Sequence, residues 1–79
     1  MKSIKEQIKE QQDRELSRLV DWAGNQSRLA DMLGVTRQVV YGWLMRGRIS
    51  ATSAAEAEKQ SRGLFTKRAL RPDVSEWRL

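Results

Sequence analysis

The most restrictive feature of this sequence is the spacing of three residues, Ala30, Gly34 and Val40, inside the stretch 26–45. Ala30 is small enough for two helices to cross closely, and Gly34 accepts the positive φ of a tight turn between them. Val40 is β-branched and takes an inward position of the second helix. The remaining inward positions are also apolar: Leu29, Leu33, Val35 and Trp43. An ordinary α-hairpin would not require these offsets, so the stretch predicts a helix-turn-helix.

Capping residues and glycines divide the rest of the chain into helices. Ser3 can cap a long amphipathic helix that ends at Gly24. The same pattern predicts four more helices: 26–33 after Asn25, 37–46 after Thr36, 51–62 after Ser50, and a short one from Thr66 to Leu70. Pro72 blocks further extension. Because no stretch shows strand alternation, we expect an all-α, compact five-helix domain with a central helix-turn-helix.

The distribution of apolar side chains predicts three regions. Residues 1–15 are an N-terminal helical extension, whose first dozen residues carry few apolar groups beyond Ile4 and Ile8 and are expected to fray or to depend on a partner. Residues 16–73 form the helix-turn-helix domain. Residues 74–79 are a C-terminal tail, which either docks on the domain or serves an interface.

Helical periodicity also predicts which side chains are buried. Val39, Val40, Trp43 and Leu44 are expected to face inward, and Trp22 is expected in the core rather than as a stacking platform. The helix that begins at residue 51 has alanine where a core usually receives leucine. It must therefore pack closely against its neighbours.

Composition restricts the chemistry that the chain can perform. The sequence has no cysteine and no histidine, which excludes disulfides, zinc fingers and the commonest general base. We therefore expect no enzyme activity, no metal and no cofactor. The apolar runs are too short to span a bilayer and no signal-peptide core follows the first methionine, so we expect a cytoplasmic protein without membrane association.

The net charge of +5 is concentrated in one part of the chain. Basic and acidic side chains cancel in residues 1–24, whereas residues 25–79 carry the entire excess. Such an excess attracts a polyanion through Coulomb steering and counterion release. It is also common on surfaces that bind no nucleic acid. Charge alone therefore leaves both interpretations open.

If the helix-turn-helix binds DNA, its second helix enters the major groove and presents its first residues to the bases. Three side chains are predicted to read base edges: Arg37, Gln38 and Tyr41. Five others are predicted to contact the DNA backbone: Gln26, Ser27, Thr36, Arg46 and Arg48. Lys67, Arg68 and Arg71 are weaker candidates. For Thr36, as for Asn25, a purely structural role as a helix cap is the alternative.

Several segments also resemble a known family. Gln-Ser-Arg-Leu-Ala at 26–30 and Leu-Gly-Val-Thr-Arg-Gln-Val-Val at 33–40, followed by Trp43, resemble phage Cro proteins and the related YdaS family of prophage regulators. The flanking segments also resemble that family: 21–24, 47–49 and Leu-Arg-Pro-Asp at 70–73. The resemblance implies a cofactor-free domain that binds a double-stranded DNA operator as a dimer and represses transcription. It also implies a polar side chain where this chain has Gly42, a residue that disfavours a helix interior by about 1 kcal/mol relative to alanine.

One helix covers too few base pairs for useful specificity, so a homodimer on a pseudo-palindromic site is expected.

Two other functions remain open at this point. The runner-up is an antitoxin-like regulator that binds a protein partner and uses DNA binding to control its own operon. The other is a protein-docking scaffold without DNA affinity.

Overall fold

Five helices account for most of the computed structural model, which describes residues 2–74. They are α1 (Ile4–Ala23), α2 (Gln26–Leu33), α3 (Arg37–Arg46), α4 (Ala51–Gln60) and α5 (Lys67–Leu70). No strand occurs among the described residues, so the prediction of an all-α, five-helix domain is confirmed. None of these helices is long and apolar enough to cross a membrane. The predicted roles of residues 75–79 in the tail lie outside the described residues.

Each helix begins after a polar side chain that accepts a hydrogen bond from a backbone N–H three residues later. The acceptors are those predicted as caps: Ser3 (3.2 Å), Asn25 (2.9 Å), Thr36 (3.2 Å), Ser50 (3.3 Å) and Thr66 (3.1 Å). Each such bond satisfies an N–H group that has no partner within the first turn of a helix. Helix starts are therefore encoded locally, within four residues of sequence.

The end of α4 differs from its prediction. The helix stops at Gln60 and not at Arg62, because the chain enters the left-handed region at Arg62, with φ of 55°. The N–H of Gly63 then reaches back to the carbonyl of Glu58 at 2.8 Å. The hydroxyl of Ser61 accepts a hydrogen bond from the N–H of Phe65 at 3.0 Å. This turn directs the Phe65 ring into the core, where it is buried.

The core lies where the inward faces of the helices meet. Its largest fully buried side chains are those of Trp43, Leu16, Leu19, Leu29, Ile49, Leu70 and Val40. Ala54 and Ala57 of α4 are also fully buried, and Leu33, Val35 and Leu44 pack against the cluster. As predicted for a helix rich in alanine, α4 packs closely against α2 and α5, and its buried residues are all small.

Two predicted core residues lie at its edge. The side chain of Trp22 is 41% exposed and that of Val39 is 42% exposed. Each helical residue turns the side-chain direction by about 100°, so Val39 lies to one side of the stripe formed by Val40 and Trp43. Trp22 lies beside the Phe65 ring, with a distance of 5.8 Å between the ring centroids. Helical periodicity identified their helices correctly but misplaced these two side chains.

The last described residues are held by the buried side chain of Arg71. Its Nη1 donates to the carbonyl of Ile49 at 3.0 Å, and its Nε and Nη2 donate to the two carboxylate oxygens of Asp73 at 2.8 and 2.9 Å. Gln12 of α1 donates to the same carboxylate at 2.8 Å. Arg71 is therefore a structural residue. Its prediction as a weak DNA contact is wrong, because the guanidinium is buried and three of its donors are engaged.

This arrangement predicts a stability loss in acid. Hydrogen bonds from Arg71 hold the pKa of Asp73 below its ordinary value of 3.8, against the opposing effect of burial. A carboxylate whose pKa is lower in the folded state stabilises the fold above its unfolded pKa and loses that contribution as the pH falls through the folded value. The Asp73 contribution to the free energy of unfolding should therefore be present from neutral pH down to about pH 5, and it should be lost as the pH falls below about 4 and through the lowered folded-state pKa.

Urea unfolding at a series of pH values checks this, with Asp73→Asn as the comparison. The variant should be less stable than the wild type at pH 7 and should lose less stability between pH 5 and pH 3. Parallel pH profiles for the two proteins would show that Asp73 does not contribute to the acid sensitivity.

Candidate nucleic-acid interface

The α2–α3 unit has the close crossing that the sequence pattern predicts. Ala30 and Val40 are buried between the helices, and Gly34 has φ of +70° in the turn. The N–H of Val35 donates to the carbonyl of Ala30 at 3.0 Å, which closes the end of α2. A side chain at Gly34 would meet no atom within 4 Å, so the demand for glycine comes from the backbone conformation alone.

The outward face of α3 carries the side chains predicted to read bases. Arg37, Gln38 and Tyr41 are all exposed, and Tyr41 keeps 55% of its surface accessible. The structure adds Met45, which is 69% exposed and lies one turn beyond Tyr41 on the same side of the helix. Sequence reasoning missed Met45. The i, i+4, i+8 spacing of residues 37, 41 and 45 was the signal that would have found it.

A cleft of about 320 Å³ joins the start of α2 to the start of α3. Its lining residues are Asn25, Gln26, Ser27 and Arg37. The Oδ1 atom of Asn25 is occupied as the cap of α2, whereas the backbone N–H groups of Gln26 and Ser27 belong to the first turn and have no acceptor inside the helix. The backbone N–H groups of Gln26 and Ser27, which have no acceptor inside the helix, therefore line the same cleft as Arg37.

Thr36 and Arg48 lie at the two ends of α3. The Thr36 hydroxyl accepts from the N–H of Val39, which leaves its own hydrogen free to donate. Arg48 follows the helix in an exposed position, and its charge contributes to the lowered pKa of Asp73. The positive charge of Arg48 is therefore exposed to solvent and is also close enough to Asp73 to favour its ionised form.

Arg46 is also exposed, but its guanidinium lies back along α3. A Cβ atom placed on Gly42 would be 3.2 Å from Nη1 of Arg46. Among residues 2–74, neither Arg37 nor Arg46 forms an ion pair, in contrast to Lys2 with Glu10, Arg18 with Glu15, and Arg71 with Asp73. Both cations of α3 are therefore uncompensated.

The described residues offer no group of three or more acidic side chains that could hold a metal ion. The polar groups of the site are instead spread along one exposed surface. This surface, which we call the α2–α3 face, contains the start of α2, the outward side of α3 and the turn after α3. Its chemistry is that of hydrogen-bond donors and positive charge, which suits an extended anionic ligand.

A tight glycine turn between two crossed helices, with the second helix exposing a polar face, defines a helix-turn-helix protein. Comparison with known families gives a more specific assignment. The chain belongs to the bacterial toxin YdaS family, which it matches over residues 16–79. This confirms the predicted resemblance to that family. No curated protein and no solved structure matches the chain.

Proposed function

We propose that this protein binds double-stranded DNA sequence-specifically, inserts α3 into the major groove and regulates transcription as a Cro-type repressor. The observation that carries the proposal is the outward face of α3. Its exposed residues include the polar and cationic side chains of Arg37, Gln38 and Tyr41, and the guanidinium of Arg37 has no ion-pair partner among the described residues. A helix of this diameter fits the major groove of B-form DNA.

The exposed side chains of α3 supply the chemistry for reading bases. The fork of Arg37 can donate two hydrogen bonds to O6 and N7 of guanine, and the amide of Gln38 can pair with N6 and N7 of adenine. Tyr41 offers a ring for apolar contact and a hydroxyl for a hydrogen bond. These three residues cover the start of α3 and its next turn.

The start of α2 and the ends of α3 supply the contacts for the DNA backbone. The free N–H groups of Gln26 and Ser27, reinforced by the positive end of the helix dipole, suit a phosphate oxygen. Thr36 and Arg48 can donate to further phosphates. Contacts of this kind set the register of α3 in the groove without reading sequence.

We further propose that a homodimer is the form that binds DNA. A single α3 reaches only a few base pairs, whereas two copies related by a two-fold axis read two half-sites about one helical turn apart. The bound site should then be a pseudo-palindrome. Selection of bound duplexes from random DNA, with the molecular mass of the complex measured on the selected site, tests both statements.

The variant Arg37→Ala tests most directly whether α3 reads base edges. The variant should lose about 1–3 kcal/mol of binding free energy on the selected site and should lose its preference at one base pair of each half-site. Fluorescence anisotropy titrations on the selected duplex and on single-base variants measure both effects.

Arg14→Ala is the matched control, because Arg14 is an exposed arginine of α1 and its removal changes the net charge equally. It should leave base preference unchanged. An equal loss of affinity for selected and random duplexes in Arg37→Ala would make Arg37 a phosphate contact. If the wild type showed no salt-sensitive DNA binding, the proposed function would be wrong.

The family name favours a second candidate function, in which the protein inhibits growth of the cell that produces it. The antitoxin-like alternative, with a protein partner and control of its own operon, also uses the α2–α3 face. Induced expression of the wild type and of Arg37→Ala in a bacterial host separates these functions. Growth inhibition that persists in Arg37→Ala would favour a target other than DNA.

A further inference from the structure

Two large, exposed side chains lie next to each other on the outward side of α3. Tyr41 is 55% exposed and Met45 is 69% exposed, and their four-residue spacing makes them neighbours on the helix surface. Met45 has the largest exposed fraction among the large apolar side chains of residues 26–45. A single exposed apolar side chain is common on protein surfaces. Two adjacent ones, which we call the apolar pair, form a small contact surface.

Helix geometry shows how directly the apolar pair points away from the core. Each residue of a helix turns the side-chain direction by about 100°. The direction midway between the buried residues Val40 and Trp43 marks the core side of α3. Tyr41 lies about 130° from this direction and Met45 about 170° from it. Met45 is therefore almost opposite the core, and a ligand seated on the outward side of α3 contacts it.

Positive charge borders the apolar pair on two sides. By the same rotation, Arg37 and Arg46 lie about 90° from the core side, on opposite flanks of α3. Neither forms an ion pair among residues 2–74, and α3 contains no acidic residue. If a second copy of this face covered the apolar pair, four guanidinium groups would meet without a carboxylate on either helix. A DNA groove instead has phosphates along both edges, so the charges favour DNA as the occupant.

The chemistry of the apolar pair selects one group of the major groove. The most apolar group that base edges present there is the C5 methyl group of thymine, whereas the other groups donate or accept hydrogen bonds. A thioether is only a weak acceptor of hydrogen bonds. The Met45 side chain is unbranched, polarizable and adaptable, which suits packing against a methyl group. The Tyr41 ring offers a second apolar surface beside it.

We propose that Met45 is a specificity-determining residue, whose side chain packs against the C5 methyl group of a thymine in each half-site of the bound DNA. This inference rests on the proposed function and deepens it, because it names a group that the hydrogen-bonding side chains of Arg37 and Gln38 do not recognise. Met45 lies about 12 Å along the helix axis from Arg37. The thymine is therefore a different base pair from the guanine assigned to Arg37.

Deoxyuridine substitution tests this contact, because uracil differs from thymine only in lacking the C5 methyl group. Each thymine of the duplex selected by the wild type is replaced in turn, symmetrically in both half-sites, and fluorescence anisotropy gives the affinity. At one position the wild type should lose about fourfold in affinity for each half-site, the effect of leaving one methyl group unburied. At that position Met45→Ala should bind the thymine and uracil duplexes equally.

Met45→Leu and Leu64→Ala serve as comparisons. Leucine keeps an apolar side chain of similar volume, so Met45→Leu should retain the sensitivity to the methyl group. Leu64 is 63% exposed and lies between α4 and α5, outside the α2–α3 face, so Leu64→Ala should retain both wild-type affinity and methyl sensitivity. All of these substitutions are at exposed positions, so the thermal midpoints should stay close to that of the wild type.

Two results on DNA would overturn the proposal. If no thymine replacement weakened the wild type, the apolar pair would not contact a methyl group. If Met45→Ala kept the full loss at the sensitive position, another residue would make the contact. In either case, binding that still depends on Arg37 and on salt would leave the proposed function intact. A wild type without salt-sensitive DNA binding would overturn both.

A measurement without DNA tests the alternative occupant of this face. Sedimentation of the free wild type and of Met45→Ala over a range of concentrations should give the same self-association, because the apolar pair is open in the free protein. Weaker self-association of Met45→Ala would assign the apolar pair to an interface between copies of this chain and would overturn its role in reading thymine.

Discussion

Trp43→Ala should destabilise the domain by about 3–5 kcal/mol, the usual cost of deleting a large aromatic side chain from a core. The side chain of Trp43 is 2% exposed and is the largest of the fully buried set. A domain of this size has a total stability of about 4–12 kcal/mol, so a substantial fraction of the variant should be unfolded at 25 °C. Urea denaturation followed by far-ultraviolet circular dichroism measures the change.

Trp22→Ala is the matched control for this prediction. It removes the same side chain from a position that is 41% exposed and that makes an edge contact with Phe65. Its cost should be about 1–2 kcal/mol, because less apolar area leaves water on folding and water can fill the vacated space. Equal losses for the two tryptophans would contradict the placement of Trp43 in the core and Trp22 at its edge.

Arg71→Ala should cost about 2–3 kcal/mol, the second largest effect that we expect. The substitution removes three hydrogen bonds and leaves the buried carbonyl of Ile49 without its donor. Removing one partner of a fully buried ion pair costs about 3–5 kcal/mol. The side chain of Asp73 is 31% exposed, so water compensates part of the loss. We therefore expect about 2–3 kcal/mol, less than the cost for a fully buried pair.

The test compares urea unfolding of Arg71→Ala with that of Asp73→Asn and of the double variant. Because the two side chains act together, the double variant should be about as stable as Arg71→Ala alone. Arg14→Ala, at an exposed position, should change stability by no more than about 0.5 kcal/mol. Additive losses would show that Arg71 and Asp73 stabilise the fold independently.

The Arg71 contact also has a consequence for the proposed function. Its bond to the Ile49 carbonyl holds the turn that follows α3, and that turn carries Arg48. Loss of the contact should loosen the end of the α2–α3 face without changing a residue that faces DNA. We therefore expect weaker binding to all duplexes in Arg71→Ala, with base preference retained.

Helix starts were predictable from sequence because they depend on near neighbours. A cap such as Asn25 or Thr36 bonds an N–H three residues away, and Gly34 adopts a conformation that other residues avoid. These effects do not require knowledge of the rest of the chain. The close crossing of α2 and α3 was predictable for the same reason, since Ala30, Gly34 and Val40 lie within eleven residues.

The candidate site was only partly predictable. The exposed positions of Arg37, Gln38 and Tyr41 follow from helical periodicity once Val40 and Trp43 are known to face inward. The position of the Arg46 guanidinium, back along α3 beside Gly42, does not follow from periodicity, because a long flexible side chain has many rotamers. Met45 was missed because the residues expected to read bases were sought only at the start of α3 and one turn later, and Met45 lies a further turn along.

By itself, the sequence determined the helix-turn-helix of residues 26–45 and the starts of the helices. It also determined which segments form the α2–α3 face. Each of these depends on contacts within one or two turns of chain. Only the tertiary structure decided that Trp22 lies at the edge of the core beside Phe65, and that Arg71 is structural. Arg71 contacts the carbonyl of a residue 22 positions away, and Gln12 and Asp73 meet across 61 positions. Such pairings depend on how whole helices pack, and no local pattern records them.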